Sequence, residues 1–276
     1  MENLDEINKL LSIPNGLSNS RDAIYNIAVR FVRLLEKPGS DLGDNTKVDE
    51  MRPILSSIRA SGCSADMECC FAIMLKILLR KPVNRDSLGK FGLNAIIQCL
   101  SRQGLLTSPV TPELGNVILN ACFDSSNVIL FLKEGGMKPL LFLMKSQETI
   151  IQSSILGALQ GICFTAAGKY HMRTCEEAIN AIVLYFMSDV LLVRARAVGT
   201  IHNLSSDPLA IALIRDATNY AAIPLLVTLL HDPSSEICHA SAGTLQNLAR
   251  DSSARDMMLA IPECLERLID LLFASD

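Results

Sequence analysis

The sequence predicts an all-α fold in which helical repeats stack along the chain. The phrase Gly-Thr-x-x-Asn-Leu occurs in "AVGTIHNLSSD" and recurs 44 residues later in "SAGTLQNLARD". Fainter copies upstream, "LGALQGICFTA" and "GNVILNACFDS", follow at steps of 42 and 41 residues. Self-similarity at this period is typical of helical repeat proteins. Apolar residues also recur at three- and four-residue intervals, and no segment shows the strict alternation of a strand.

The composition agrees with stacked helices and disfavours nucleic acid as a partner. Hydrophobic residues make up 49% of the chain, whereas aromatic residues make up only 5% and Trp is absent. A core of Leu, Ile, Val and Ala suits packed helices better than a β-sandwich. The formal net charge is −4, the two signs are interspersed, and no Lys/Arg run could neutralise several adjacent phosphates.

The cysteines and the N-terminal residues predict a soluble cytoplasmic protein. The nine cysteines are an odd number, and most stand inside apolar helical patterns, which indicates buried free thiols in a reducing compartment. The start "MENLDEINKLLS" lacks the features of a signal peptide, and Glu2 stands where myristoylation needs glycine. No apolar run reaches the length of a membrane span, so we expect no integral membrane segment.

Residues 1–60 are predicted to form an N-terminal helical cap with a degenerate repeat. A short helix over residues 1–17 ends at the "IPNG" turn, and Ser18 or Ser20 then caps the helix "RDAIYNIAVRFVRLLEK". The segment "PGSDLGDNTK" is loop-like. Helical periodicity resumes over residues 48–60, with Pro53 in the first turn or at a kink.

Residues 61–276 are predicted to form one continuous solenoid of repeats with a short, a medium and a long helix each. The long helices are "DMECCFAIMLKILLRK", "TPELGNVILNACFD", "ETIIQSSILGALQGICFT", "DVLLVRARAVGTIHNLSS" and "SSEICHASAGTLQNLAR". Gly92, Gly135 and Gly136 precede medium helices, as helix-terminating glycines do. Pro112 and Pro233 stand near the starts of long helices, where proline is tolerated.

These features resemble the armadillo repeat family. The specific marks are Gly-Gly-Met-Lys-Pro-Leu-Leu (135–141), Ala-Ile-Pro-Leu-Leu (222–226) and the two Gly-Thr-x-x-Asn-Leu phrases. HEAT repeats are the most similar alternative, but they are usually two-helix units. The additional short helix in each repeat here favours the armadillo type. The resemblance implies a right-handed superhelix of about five three-helix repeats.

The resemblance also implies a role for the repeated asparagine. In relatives the long third helices line a concave groove, where such Asn side chains hydrogen-bond the backbone of an extended peptide. An amide suits this because it both donates and accepts. The matching positions here are Asn120, Asn203 and Asn247, and Gly161 interrupts the series. The alternative is that each Asn ties its own helix to a neighbouring loop.

One departure from the family bears on the kind of ligand. In importin alpha the residue four before the Asn is typically Trp, whereas here Asn116, Gly157, Gly199 and Gly243 hold these positions. Without indole rings there is no cation–π platform for lysines, so a nuclear-import adaptor is disfavoured. The glycines look more like the catenin, plakophilin and scaffold branches of the family. Each costs about 1 kcal/mol in a helix interior, which indicates either close helix packing or an open trough for a partner.

Helical spacing around the Asn positions gives a candidate partner-binding groove. The same spacing also places Ser154 on this face. The residues predicted to bind a partner are Asn120, Gln160, Arg196, His202, Asn203, Asp207, His239, Gln246, Asn247 and Arg250. Their mixed charge favours a partner segment that makes polar and apolar contacts over a highly basic one.

Catalytic and metal-binding motifs are not found in the sequence. There is no phosphate loop, HExxH, CxxC or GxSxG. Cys69 and Cys70 are expected in the core. Cys238 and His239 are adjacent on a helix and point about 100° apart, so they are poorly placed to share an ion with His231. We expect no enzyme, no cofactor and no metal.

The sequence therefore predicts a non-enzymatic scaffold or adaptor that binds a partner peptide or helix in its groove. One alternative is a chaperone cofactor, similar to the heat-shock nucleotide-exchange factors, that clasps a folded lobe. Another is a structural component of cilia or flagella. The medium helix "PECLERLIDLLFAS" has no long helix after it, which leaves an apolar flank for a second interface or self-association.

Overall fold

The computed structural model describes residues 2–12, 21–37, 48–53 and 64–273, and these residues form helices joined by short turns, with no strand. The helices are α1 (Glu2–Ser12), α2 (Arg21–Glu36), α3 (Ala65–Leu78), α4 (Pro82–Phe91), α5 (Leu93–Leu100), α6 (Val110–Ala121), α7 (Ser125–Lys133), α8 (Met137–Leu143), α9 (Thr149–Cys163), α10 (Ala166–Arg173), α11 (Glu176–Leu184), α12 (Leu191–Ser205), α13 (Ile211–Tyr220), α14 (Ala222–Leu229), α15 (Ser235–Leu248), α16 (Ser252–Leu259) and α17 (Pro262–Phe273). Short 3₁₀ helices cover Val48–Met51, Leu105–Thr107, Tyr185–Met187 and Pro208–Ala210. The all-α prediction is confirmed.

The predicted long helices are all present, and their ends lie within a few residues of the prediction. The segment over residues 189–206, for example, forms α12 over Leu191–Ser205. A short helix was predicted in each repeat, and α16 is the short helix of the last one. Residues 48–51 form a 3₁₀ helix where an α-helix was expected. Ser18, Ser20, the "IPNG" turn, the loop over 38–47 and residues 54–60 lie outside the described residues.

The chain divides into two compact units, Met1–Ala158 and Leu159–Asp276. In the first unit the long helices α3 and α6 pack side by side, and α2 packs against both α1 and α3. Its core contains the fully buried rings of Phe31, Phe71 and Phe131. Ser64 begins α3 by accepting a hydrogen bond from the Met67 backbone N–H. The predicted division at residue 60 stays a prediction.

In the second unit the long helices α12 and α15 pack side by side, and α14 packs on α15. Three of its short helices begin with a side-chain cap in the same position of the repeat, four residues after the Asn position. Thr165, Asp207 and Asp251 accept hydrogen bonds from backbone N–H groups of the turn that follows. Each long helix of this unit is thus followed at once by a capped start of the next helix.

The last residues of α13 form a sharp corner just before α14. Thr218, Asn219 and Tyr220 have φ values of 50°, 57° and 67°, the left-handed region that L-residues rarely occupy. The Thr218 backbone N–H donates to Oδ1 of Asn180 at 2.6 Å, which holds the corner against α11. This bond offsets part of a backbone cost of about 1–2 kcal/mol per left-handed residue.

No single helix in the described residues is long and apolar enough to cross a membrane. Two pairs of consecutive helices have the combined length and apolar composition of a membrane span, but each pair is sharply bent between its helices. These pairs are Thr149–Cys163 with Ala166–Arg173, and Pro208–Tyr220 with Ala222–Leu229.

Candidate protein-binding face

The long helices α12 and α15 of the second unit carry most of the predicted binding residues on one face. On α15, His239, Gly243, Gln246 and Asn247 fall within an arc of about 100° by helical spacing, and Arg250 lies two residues beyond the end of the helix. The matching residues of α12 are Gly199, His202 and Asn203, and Arg196 lies on the same side of α12 by helical spacing. We call the surface formed by these nine residues the binding face.

The repeated asparagines tie consecutive long helices together. Nδ2 of Asn203 donates to the backbone carbonyl of Gln160 at 2.9 Å, and Nδ2 of Asn247 donates to Oγ of Ser205 at 3.0 Å. In the first unit, Nδ2 of Asn120 donates to the carbonyl of Lys76 at 2.8 Å. Each Asn therefore has a structural partner, which is the preceding long helix rather than a loop.

These bonds leave part of each amide free for a ligand. Within the described residues, Oδ1 of Asn203 and of Asn247 accepts no hydrogen bond, and each side chain is only half-buried. An amide nitrogen has two N–H groups, of which the structural bond uses one. The acceptor that a peptide N–H requires is thus still available.

The two glycines of the binding face accommodate side chains from the preceding long helix. A Cβ at Gly199 would overlap Nε2 of Gln160, and a Cβ at Gly243 would lie 2.6 Å from Cε1 of His202. Gln160 and His202 hold the same place in consecutive repeats, the residue just before the Asn position. Close packing, and not an open trough, is therefore the reason for glycine at these two positions.

The residue just before the Asn position also makes polar contacts with the next long helix. Nη1 of Arg196 donates to Oε1 of Gln160 at 2.8 Å. In the first unit, Nζ of Lys76 lies 2.6 Å from Oε2 of Glu113 in the equivalent positions. His202 differs, because the residue opposite by repeat spacing is Ala240, and its buried Nδ1 has no hydrogen-bond partner in the described residues. Burial lowers the pKa of His202 below its ordinary value.

Replacing His202 with glutamine is expected to reduce the loss of stability in acid. Because the pKa of His202 is lowered in the folded protein, the unfolded chain binds the proton more readily, and stability falls as the pH drops through about 6.5. Glutamine already holds this place at Gln160 and Gln246, so it should fit. Urea unfolding at about pH 7.5 and pH 5.5 measures the difference in stability, which should shrink in His202→Gln. The exposed His239→Gln is the control and should leave the difference unchanged; an unchanged difference in His202→Gln would contradict the assignment.

Two residues that the sequence places on the binding face, Asp207 and Ser154, stabilise the fold instead. Asp207 lies beyond the end of α12, where it caps the 3₁₀ helix Pro208–Ala210 and lies 3.3 Å from Nε of Arg173. Ser154 is buried, and its hydroxyl donates to the carbonyl of Ile151 at 2.9 Å. The prediction for Ser154 was wrong, because this serine packs against Gly115 of α6.

The charged side chains that remain on the binding face are cationic, Arg196 on α12 and Arg250 after α15. His239, Gln246 and Arg250 are exposed, and Arg196 is half-buried. Glu236 is an exposed carboxylate in the first turn of α15, three residues before His239 and 14 residues before Arg250. With Asp207 occupied as a cap, the face presents the guanidinium groups of Arg196 and Arg250 beside the amides of Asn203, Gln246 and Asn247.

A pair of buried asparagines was missed by the sequence interpretation. Asn84 and Asn127 are each 2% exposed and stand 43 residues apart in the first unit. Nδ2 of Asn84 donates to the carbonyl of Leu78, and Nδ2 of Asn127 donates to that of Ala121, which closes the last turn of the preceding long helix. Asn127 also donates to the carbonyl of Arg85 in the preceding repeat. Because 43 residues is close to the repeat period, the spacing of Asn84 and Asn127 could have identified them as equivalent positions of two repeats.

The described residues contain no group of three or more His, Cys, Asp or Glu side chains that could hold a metal ion. Cys238 is buried, with its thiol donating to the carbonyl of Asp232, whereas His231 and His239 are exposed. Burial raises the pKa of the Cys122 and Cys163 thiols to about 12, so neither forms a thiolate nucleophile near neutral pH. Cys69 and Cys70, expected in the core, are half-buried.

Comparisons with known proteins concern the fold. The armadillo/beta-catenin-like repeat profile matches residues 220–250, which include α14 and α15. The curated proteins contain no match. Among solved structures, an engineered protein aligns with a TM-score of 0.76 at 16% identity, covering 91% of this chain and 98% of that one. A designed armadillo repeat protein in complex with the peptide (KR)4 aligns at 0.70 and 13%, covering 89% and 99%. Computationally designed armadillo repeat proteins for modular peptide recognition align at 0.72 and 13%, covering 88% and 99%.

Proposed function

We propose, from the premise that this chain is an armadillo-repeat protein, that it is a non-enzymatic scaffold or adaptor that binds an extended peptide or helix of a partner protein. The observation that carries the proposal is the binding face of α12 and α15, where free amide acceptors stand beside exposed cations. One designed protein of the same fold is in complex with a peptide, and others were designed for peptide recognition. Both support a peptide as the class of ligand. The catenin, plakophilin and scaffold branch stays a prediction.

The charge of the face favours an acidic or neutral peptide over a basic one. A peptide lying along the length of the face would meet the guanidinium groups of Arg196 and Arg250 and the imidazole of His239. Like charges brought together at an interface are repelled, whereas opposite charges speed association and select the partner. The peptide (KR)4 of the designed neighbour is therefore a poor ligand for this chain.

The cytoplasm is the compartment that we propose for this function. The cysteines that the structure describes are all free thiols, including the half-buried neighbours Cys69 and Cys70. Thiols persist unpaired most readily in a reducing environment.

The proposal is tested with two labelled octapeptides, (DE)4 and (KR)4, titrated with the protein while fluorescence anisotropy is recorded. We expect (DE)4 to bind with an affinity that falls as salt is added, and (KR)4 not to bind. Replacing both Arg196 and Arg250 with alanine should weaken binding of (DE)4 about 10-fold, since each exposed ion pair contributes about 0.5–1 kcal/mol.

A matched control removes two charges elsewhere. Lys133 and Lys145 are exposed in the first unit and lie outside the long helices, so the variant with both replaced by alanine should bind (DE)4 as the unmodified protein does. Tighter binding of (KR)4 than of (DE)4, or equal weakening by the two double variants, would contradict the assignment of this face.

A further inference from the structure

A pocket of about 580 Å³ lies in the first unit, between the end of α5 and the helix α8. Its apolar walls include Leu100 and Leu106 on the first side and Pro139 and Phe142 on the second. Phe142 is a large aromatic residue and is nevertheless 55% exposed. Pockets that bind small molecules have volumes of about 300–1,000 Å³, mostly apolar walls and a few polar groups. The size and the walls of this pocket are therefore those of a small-molecule site.

One wall of the pocket is a connection that is longer than its counterparts in other repeats. The chain between α5 and α6 covers residues 101–109, which are nine residues. The corresponding connections have five or six residues, at 144–148, 185–190 and 230–234. The additional residues form a left-handed turn at Gly104, with a φ of 79°, and the 3₁₀ helix that follows it. Loops that depart from a regular scaffold are frequent places for binding sites.

Hydrogen bonds hold this connection in place. The hydroxyl of Thr111 donates to the backbone carbonyl of Leu105 at 2.7 Å. The hydroxyl of Ser146 donates to the carbonyl of Leu106 and so joins the connection to the chain just after α8. The two sides of the pocket are thus fixed to each other, and a pocket that is already ordered loses less entropy when a ligand binds.

The charge at the pocket is positive. Among the described residues that line it, none is acidic. Arg102 is paired with the buried Glu68, to which its two terminal nitrogens donate at 2.6 and 3.1 Å, so this pair adds little net charge. Lys138 also lines the pocket, is exposed, and forms no ion pair with any described residue. The exposed amide of Gln103 makes no hydrogen bond in the described part of the chain.

We propose that this pocket binds a small organic anion, with an aromatic or branched apolar body against Leu106 and Phe142 and one anionic group that accepts hydrogen bonds from Lys138 and Gln103. An ammonium and an amide beside apolar walls complement a ligand of this kind in both charge and hydrogen bonding. The pocket belongs to the first unit and shares no residue with the binding face, so this ligand is additional to the peptide.

Two fluorescent probes that differ in one charge test the proposal. The anionic probe is 8-anilinonaphthalene-1-sulfonate, and the neutral probe is N-phenyl-1-naphthylamine, which has the same rings without the sulfonate. Each fluoresces more strongly when it leaves water for an apolar site, so titration of the full chain measures its binding. We expect saturable binding of the anionic probe.

Replacement of Lys138 tests recognition of the charge. Lys138→Met should weaken binding of the anionic probe about 5-fold, the effect of one exposed ion pair, and should not weaken binding of the neutral probe. Lys133→Met is the matched control, because Lys133 is an exposed lysine of the same unit that does not line the pocket. It should change the binding of neither probe.

Replacement of Phe142 tests the apolar wall. Phe142→Ala should weaken binding of both probes about 10-fold, because each loses a contact with an aromatic ring. Phe123→Ala is the matched control, since Phe123 is 65% exposed in the same unit and lies outside the pocket. Circular dichroism checks that each variant keeps its helical content.

Several results would overturn the proposal. Without saturable binding of the anionic probe there is no such site. Equal weakening of both probes by Lys138→Met would show that the pocket does not select an anion, and unchanged binding in Phe142→Ala would place the probes elsewhere. Displacement of the anionic probe by (DE)4, lost when Arg196 and Arg250 are replaced with alanine, would assign the anion to the binding face instead.

Discussion

Replacing Gly168 with alanine is expected to destabilise the protein by about 3 kcal/mol or more. A Cβ at this position would overlap the backbone carbonyl oxygen of Ile162 and lie 2.6 Å from its carbonyl carbon. That oxygen already accepts hydrogen bonds from the backbone N–H and the hydroxyl of Thr165. Thr165 in turn caps α10 by accepting from the Gly168 N–H at 3.1 Å. The obstructing atoms are therefore backbone atoms fixed by their own bonds, and α9 and α10 would have to move apart.

Thermal and urea unfolding followed by helical circular dichroism measure this effect. Ala166→Gly is the control, because Ala166 is the exposed first residue of the same helix and its replacement should change stability by less than about 1 kcal/mol. If Gly168→Ala costs no more than the control, the close approach of α10 to Ile162 is not a feature of the folded protein in solution.

The helices were predictable because local pattern and packing agree in a repeat protein. Each repeat buries its apolar stripe only against its neighbours, so the periodicity that predicts a helix also predicts which helices pack. The segment around Thr200 shows this, since its spacing predicted a long helix and the structure has α12 there. The repeat phrase likewise placed Asn203 and Asn247 in equivalent positions of adjacent helices.

Asp207 shows where spacing alone was insufficient. Extrapolation of helical periodicity from Asn203 places residue 207 on the same face one turn later. However, α12 ends at Ser205, so the chain has already left the helix and Asp207 caps the next turn. The end of a helix depends on caps whose partners lie downstream, and periodicity carries no information about them.

Ser154 and the glycines required knowledge of neighbouring helices. Because α9 is apolar on nearly all sides, its sequence does not indicate which face is buried. Gly199 and Gly243 allowed two interpretations until the side chains of Gln160 and His202 were located over them. These contacts join residues about 40 positions apart, and each depends on the rotation of two helices about their axes.

Replacing Arg194 with methionine is the second large effect that we expect, a loss of about 3 kcal/mol. Nε of Arg194 donates to Oδ2 of Asp232 at 2.7 Å, and Nη1 donates to the carbonyl of Ser188 at 2.6 Å. The side chain of Asp232 is only 5% exposed and that of Arg194 16%. Removal of the guanidinium would leave the Asp232 carboxylate buried without its counter-charge, which costs more than the pair itself contributes.

A double-mutant cycle separates the charge from the shape. In Asp232→Asn the remaining Oδ1 can still accept the backbone N–H of Ser234, which it accepts at 2.8 Å in the unmodified protein. The variant with both Arg194→Met and Asp232→Asn should therefore be more stable than Arg194→Met alone, with a coupling energy of about 1–3 kcal/mol in urea unfolding. A double variant no more stable than Arg194→Met would show that the buried charge is not the cause.

The same pair connects stability to the binding face. Arg194 lies on α12, and Asp232 lies in the turn between α14 and α15, so their bond holds consecutive long helices at a fixed spacing. The amides of Asn203 and Asn247 must keep this spacing to contact one extended peptide. Arg194→Met, at a temperature where it remains folded, should therefore bind (DE)4 more weakly although Arg194 makes no contact with the peptide. The double variant, in which no buried charge remains, should recover part of that affinity.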